Sequence, residues 1–123
     1  MDNELELLLG TAIDSLLKLD ILLHLHARPG AVLKSSDIAK RLDRSEDEIA
    51  RALDDLSQAH LVDRFSLGSG RHVVYGEAED AHVRHLIGIL CDRYRNGGES
   101  RAQIVRAATR QDSGDPSHRP ADT

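Results

Sequence analysis

Few residues of this chain have a type and spacing that could do chemistry. His82 and His85 lie three apart, so on a helix both could face one metal ion, with Asp80 just before them and Cys91 about two turns on. The plainer reading is two surface histidines on a helix with Cys91 half buried. Arg93 and Arg95 stand close enough to lower the thiol pKa if Cys91 were exposed, which would make it a redox sensor. His24 and His26 are two apart and point to different sides of a helix, so they share no ligand. Asp54 and Asp55 are adjacent and diverge on a helix, so they form no acid/base pair. Gly68-Ser69-Gly70 is a hairpin tip rather than a phosphate loop, and no Ser, Cys or His sits in a nucleophile motif. The expectation is a protein that is not an enzyme and uses no cofactor.

The remaining chemistry is charge. Residues 45–56, SEDEIARALDDL, carry five carboxylates and one arginine. Residues 1–20 hold five acids and one lysine, whereas residues 84–110 hold six arginines against Asp92 and Glu99. A chain of net charge −5 is therefore strongly polarised along its length. Acids in the first turn of a helix have a local use, because the helix dipole favours them there by about 0.3–1 kcal/mol each. Ser45-Glu46-Asp47-Glu48 also spells a capping box, in which serine and glutamate satisfy free backbone N–H groups reciprocally.

These residues need elements to position them, and 123 residues is room for one domain. Apolar residues make up 40%, but the aromatics are only Phe65, Tyr75 and Tyr94. The core must be Leu, Ile, Val and Ala, which suits packed helices and excludes a stacking platform for single strands. Residues 3–28 read as helix, with Gly10 a point where it could divide in two, until Pro29-Gly30 stops it. From Leu16 to Leu25 that helix is apolar on nearly every side, which predicts burial all round and a second copy of the chain as the cover. Leu86, Ile87, Ile89 and Leu90 with Ile104, Val105 and Ala108 offer a second contribution to a homodimer. Asp14, Lys18, Asp20 and His24 interrupt the run, and a charge at a bilayer centre costs about 2.5–3.5 kcal/mol, so no membrane span is expected. One cysteine and an acidic start, MDNELE, point to a reducing compartment and a cytoplasmic location.

Ala31-Val32-Leu33 reads as a minimal strand, and residues 36–42 as a short helix capped by Ser35 or Ser36. After the tight link Asp43-Arg44, Ile49, Leu53 and Leu56 fall on one helical face. Asp47, Arg51, Asp54, Asp55 and Gln58 fall on or beside the other. Residues 61–65 and 71–76 read as a hairpin around a Gly-rich turn. Helices over 81–95 and 100–110 follow, broken by Asn96-Gly97-Gly98, and residues 111–123 lack apolar pattern and read as a disordered tail.

Helix, short strand, helix, turn, helix, hairpin, helix is an order that resembles the winged helix-turn-helix superfamily, in the manner of the MarR- and ArsR-type bacterial regulators. Residues 35–65 and the hairpin to Gly76 carry the resemblance. Ile38, Ala39, Leu42, Ile49, Leu53, Leu56, Ala59, Leu61 and Val62 occupy the matching apolar positions. The implied fold class is mainly α with a small β-hairpin, a winged helix with extra N- and C-terminal helices. Residues 1–110 would form it, with the flanking helices serving dimerisation. The implied function is a DNA-binding transcriptional regulator. Lys40, Arg41, Arg44, Asp47, Glu48, Arg51, Arg64 and Arg71 are then the residues that face DNA, or a basic protein partner if the acidic helix is a docking surface instead. Arg51 would read sequence and Arg71 would contact phosphate. His60 is a departure, since the superfamily usually places a glycine there; a histidine can occupy a left-handed conformation, but at some cost. Asp80-Ala81-His82 matches the start of the metal site found on this helix in the ArsR type, but position 93 is arginine, and no metal is expected.

Overall fold

A computed structural model of the chain describes residues 3–68 and 72–109; the tail beyond and Arg71 lie outside the described residues. In order the elements are α1 (Asn3–Leu8), α2 (Leu16–His26), β1 (Val32–Leu33), α3 (Ser35–Leu42), α4 (Glu46–Gln58), β2 (Val62–Leu67), β3 (His72–Glu77), α5 (Ala81–Asn96) and α6 (Gly98–Ala108). The protein is mostly helical, with one antiparallel sheet in the order β1-β3-β2.

The N-terminal stretch divides, as its glycine allowed. Gly10 takes φ +89°, and a Cβ there would lie 3.0 Å from the Ala107 carbonyl oxygen, so glycine is required for both its conformation and the close approach of α6. The chain restarts at α2 with Ser15 as N-cap, its hydroxyl accepting from the Lys18 N–H. Helix α2 then runs through the middle of the molecule. Leu19, Ile21, Leu22 and Leu25 are buried, and α4, α5, α6 and β3 all pack on it. Most of its apolar surface is thus covered within one chain, with Leu16 at its start still exposed. Leu86, Ile87, Leu90, Ile104 and Ala108 are buried in the same chain too.

Ser35 and Ser36 prove to be the first residues of α3 rather than its cap; Lys34 holds the cap position without a side-chain bond. Asp43, at φ 57°, makes the sharp exit, and the Arg44 N–H closes back on the Ala39 carbonyl. Helix α4 starts on the expected capping box: the Ser45 hydroxyl accepts from the Glu48 N–H at 3.2 Å, and Glu48 Oε1 accepts from the Ser45 N–H at 3.4 Å. Ile49, Ala52, Leu53 and Leu56 are buried, which turns the other side of α4 outward.

His60 ends that segment at φ 64°, with the Leu61 N–H bonded to the Leu56 carbonyl. The hairpin pairs from Val62↔Glu77 to Leu67↔His72, and β1 adds to its other edge through Val32↔Gly76 and Leu33↔Tyr75. Paired residues share a face. Tyr75, Leu33 and Val62 therefore turn inward, and Val32, Phe65 and Leu67 outward. Asp80 caps α5, accepting from the Val83 N–H, and Gly97 at φ 71° separates it from α6, which begins at Gly98 rather than at Ser100.

Candidate nucleic-acid interface

Helices α3 and α4 form one exposed ridge around the Asp43 turn. Lys40 and Arg41 are exposed on the last turn of α3, Arg44 at the joint, and Asp47, Glu48 and Arg51 along α4. Arg64 is exposed on β2, apart from this ridge and near the Tyr75 phenol. Arg44 and Glu48 are the two of these brought together, 3.5 Å apart, so Glu48 serves both the helix cap and an ion pair.

Most of the acids on α4 have work inside the molecule. Glu46 accepts from the Ser35 hydroxyl at 3.4 Å, which ties the start of α4 to the start of α3. Asp54 accepts from the Tyr75 hydroxyl at 3.1 Å, which ties α4 to β3. Burial and Asp54 together push the Tyr75 phenol pKa up, while Arg64 opposes them. Asp55 lies 3.2 Å from the Lys18 ammonium, which also holds Asp14 at 2.8 Å. Burial works against the Lys18 charge, but the two carboxylates win and hold its pKa above the ordinary value. Asp47 alone among these carboxylates has no side-chain partner among the described residues. The sequence offered no sign of Lys18 or Tyr75 as partners, because neither lies near α4 in the chain.

Two arginines of the basic α5–α6 segment are similarly occupied. Arg101 stacks 4.6 Å from the Tyr94 ring centroid and donates to the Tyr94 carbonyl, closing the end of α5. Arg106 pairs with Glu99 at 3.1 Å.

No family model, curated protein or solved structure matches the chain.

Its functional reading accordingly rests on this geometry. The histidines at the start of α5 do not converge: His82 Nε2 lies 2.7 Å from Glu4, Asp80 is spent on the cap, and His85 is exposed. Among the described residues, no three His, Cys, Asp or Glu side chains are placed to hold a metal ion. No helix among them is long and apolar enough to cross a membrane.

Cys91 is fully buried rather than half buried, and burial pushes its pKa up to about 11 despite Arg95. At pH 8 about one thiol in a thousand is ionised, so the redox reading has no reactive species behind it. A disulfide reagent should modify Cys91 only as fast as the protein opens, and at the free-cysteine rate in about 6 M guanidinium. Rapid modification of the folded protein at pH 8 would contradict this placement.

His24 lies behind the ridge. Its Nδ1 accepts from Arg28 at 3.2 Å, and its Nε2 is buried with no partner among the described residues. Burial, then Arg28 and Arg41, lowers its pKa. The unfolded chain therefore takes up this proton first. The stability held by neutral His24 is fully present above about pH 6.5 and is lost as pH falls through the lower folded value. His24→Leu should remove that component. Urea titrations at about pH 5.5 and 7.5 should show wild type losing more stability on acidification than the variant, and equal losses would refute it.

Proposed function

We propose that the chain is a winged helix-turn-helix transcriptional regulator that binds duplex DNA as a homodimer in the cytoplasm and catalyses nothing. Residues 1–110 form the winged-helix domain with its flanking helices, and 111–123 its tail. The observation that carries the reading is the α3–Asp43–α4 ridge. It is followed directly by the β2–β3 hairpin, with α4 presenting Arg51 and Asp47 outward and Lys40, Arg41 and Arg44 beside them. Phosphate affinity comes from Lys and Arg replacing counterions. The negative charge of α4 is the main objection, and it weakens once Glu46, Glu48, Asp54 and Asp55 have internal partners and Lys18 and Arg44 partly neutralise them. A single carboxylate facing the groove has a use, since it can accept from cytosine N4, and the exposed Asp47 would supply it. A two-fold dimer would present two ridges at one half-site spacing. Leu7, 71% exposed, and Leu16, 41% exposed, are the large exposed apolar side chains outside the sheet among the described residues, open to a second copy.

A mobility-shift series with genomic fragments tests this. The expected result is binding whose logarithm falls with log salt by about 0.9 per phosphate contacted. Failure to bind below about 100 mM salt would sink the regulator reading and favour docking of a basic protein on α4. Light scattering that finds a monomer at micromolar concentration would remove the dimer.

A further inference from the structure

We propose that the cleft between the outer face of the sheet and the start of α5 binds a small zwitterion with an apolar body, of the size and charge pattern of an aliphatic α-amino acid. The cleft encloses about 200 Å³. It is open to solvent on one side, and a volume of this order suits a small ligand. Val32, 50% exposed, and Phe65, 37% exposed, form its apolar wall, with Ala78 behind. Gly76 lies between them, where a Cβ would come within 3.0 Å of the Ala31 carbonyl oxygen and 3.3 Å of Val32 Cγ1, so glycine is what lets β1 pack this closely on β3 at the edge of the cleft.

The charges select the ligand. Glu77, which lines the cleft, and Asp63 and Asp80, which do not, are already engaged. Glu77 pairs with His26 at 2.5 Å, Asp63 accepts from the Glu79 N–H, and Asp80 accepts from the Val83 N–H. Glu79 and Arg84 differ. Both line the cleft, and neither side chain has an oppositely charged partner among the described residues. They do not pair with each other, although Arg84 is held to the Glu79 carbonyl at 3.3 Å. One cleft thus holds a cation and an anion that, among the described residues, lack an oppositely charged partner, beside an apolar wall. A lone amine or a lone carboxylate would leave one of them unmatched and set a like charge near it. A zwitterion satisfies both, its carboxylate on Arg84 and its ammonium on Glu79, with its side chain against Val32 and Phe65.

The site does not depend on DNA binding, and its test contains no DNA. Leucine, isoamylamine, 4-methylpentanoate and glycine are titrated into the isotope-labelled full chain to about 10 mM while amide resonances are followed. Leucine should shift residues 32, 65, 76–79 and 84, and each of the other three should bind at least about tenfold more weakly. Arg84→Gln should bring leucine down to the level of isoamylamine, and Glu79→Gln down to that of 4-methylpentanoate. Both variants should keep the wild-type spectrum elsewhere. No shift with leucine overturns the proposal. So does equal binding of the amine, of the acid or of glycine, which would make the cleft a cation site, an anion site or a site indifferent to its apolar wall.

Discussion

Leu53→Ala should destabilise the protein by about 2–5 kcal/mol, whereas Asp47→Ala should change stability by less than about 0.5 kcal/mol. The two residues share one helix and differ in what surrounds them. Leu53 is fully buried on the inward side of α4, a helix that packs against α2, α3 and β2. Removing its isobutyl group loses the transfer energy of the buried atoms and leaves a cavity that the packed helices cannot fully close. Domains of this size have about 5–15 kcal/mol in all, so the loss is a large share. Asp47 is exposed in the first turn, and truncating it forfeits only a dipole contribution of a few tenths. Urea unfolding of both variants, with unchanged slope, measures the contrast. Comparable losses from the two would mean that α4 does not turn Ile49, Leu53 and Leu56 inward, and the exposed ridge would lose its basis.

What could be read in the sequence was what is decided within about four residues. The Ser45–Glu48 box and the inward face of α4 are local, and each is found where the pattern placed it, whereas His60 departs from the pattern and still takes φ 64°. The hairpin and the minimal strand before α3 follow from short apolar runs beside turn residues. Less was legible where the deciding neighbour is distant. Gly10 was seen as a possible break, but what requires glycine there is the Ala107 carbonyl on α6. The apolar girth of α2 was visible, but not that α4, α5, α6 and the sheet of the same chain would enclose it. The acids of α4 looked like a spare negative surface because their partners, Tyr75 and Lys18, belong to other elements. The slot over Gly76 needed the register Val32↔Gly76 before its two walls could be brought together.

That distinction bears on how net charge should be weighed. Between Lys34 and Arg64 the chain carries six basic residues and eight acids, which by count alone argues against DNA. A phosphate samples the potential of groups left facing it rather than a count. Capping and cross-helix contacts hold four of the α4 carboxylates to internal donors, while Lys40, Arg41 and Arg51 carry no ion pair among the described residues.

The combined charge reversal Arg41→Glu and Arg51→Glu should therefore weaken binding to any duplex by about 100-fold at about 50–100 mM salt, roughly tenfold for each site. Both residues are exposed and neither serves a cap, so the folded state should survive, as circular dichroism can verify. Loss of Arg41 as a phosphate contact should also flatten the salt dependence by about one unit of log–log slope, and loss of Arg51 should relax the sequence preference. Arg95→Glu is the informative control. Arg95 is exposed on the last turn of α5, within the most basic part of the chain and away from the ridge. It should leave both affinity and slope unchanged. A reversed pattern, with Arg95→Glu abolishing the shift and the double variant still binding, would move the nucleic-acid surface to α5 and α6. The acids of α4 would then be the outward face of a helix that never meets DNA.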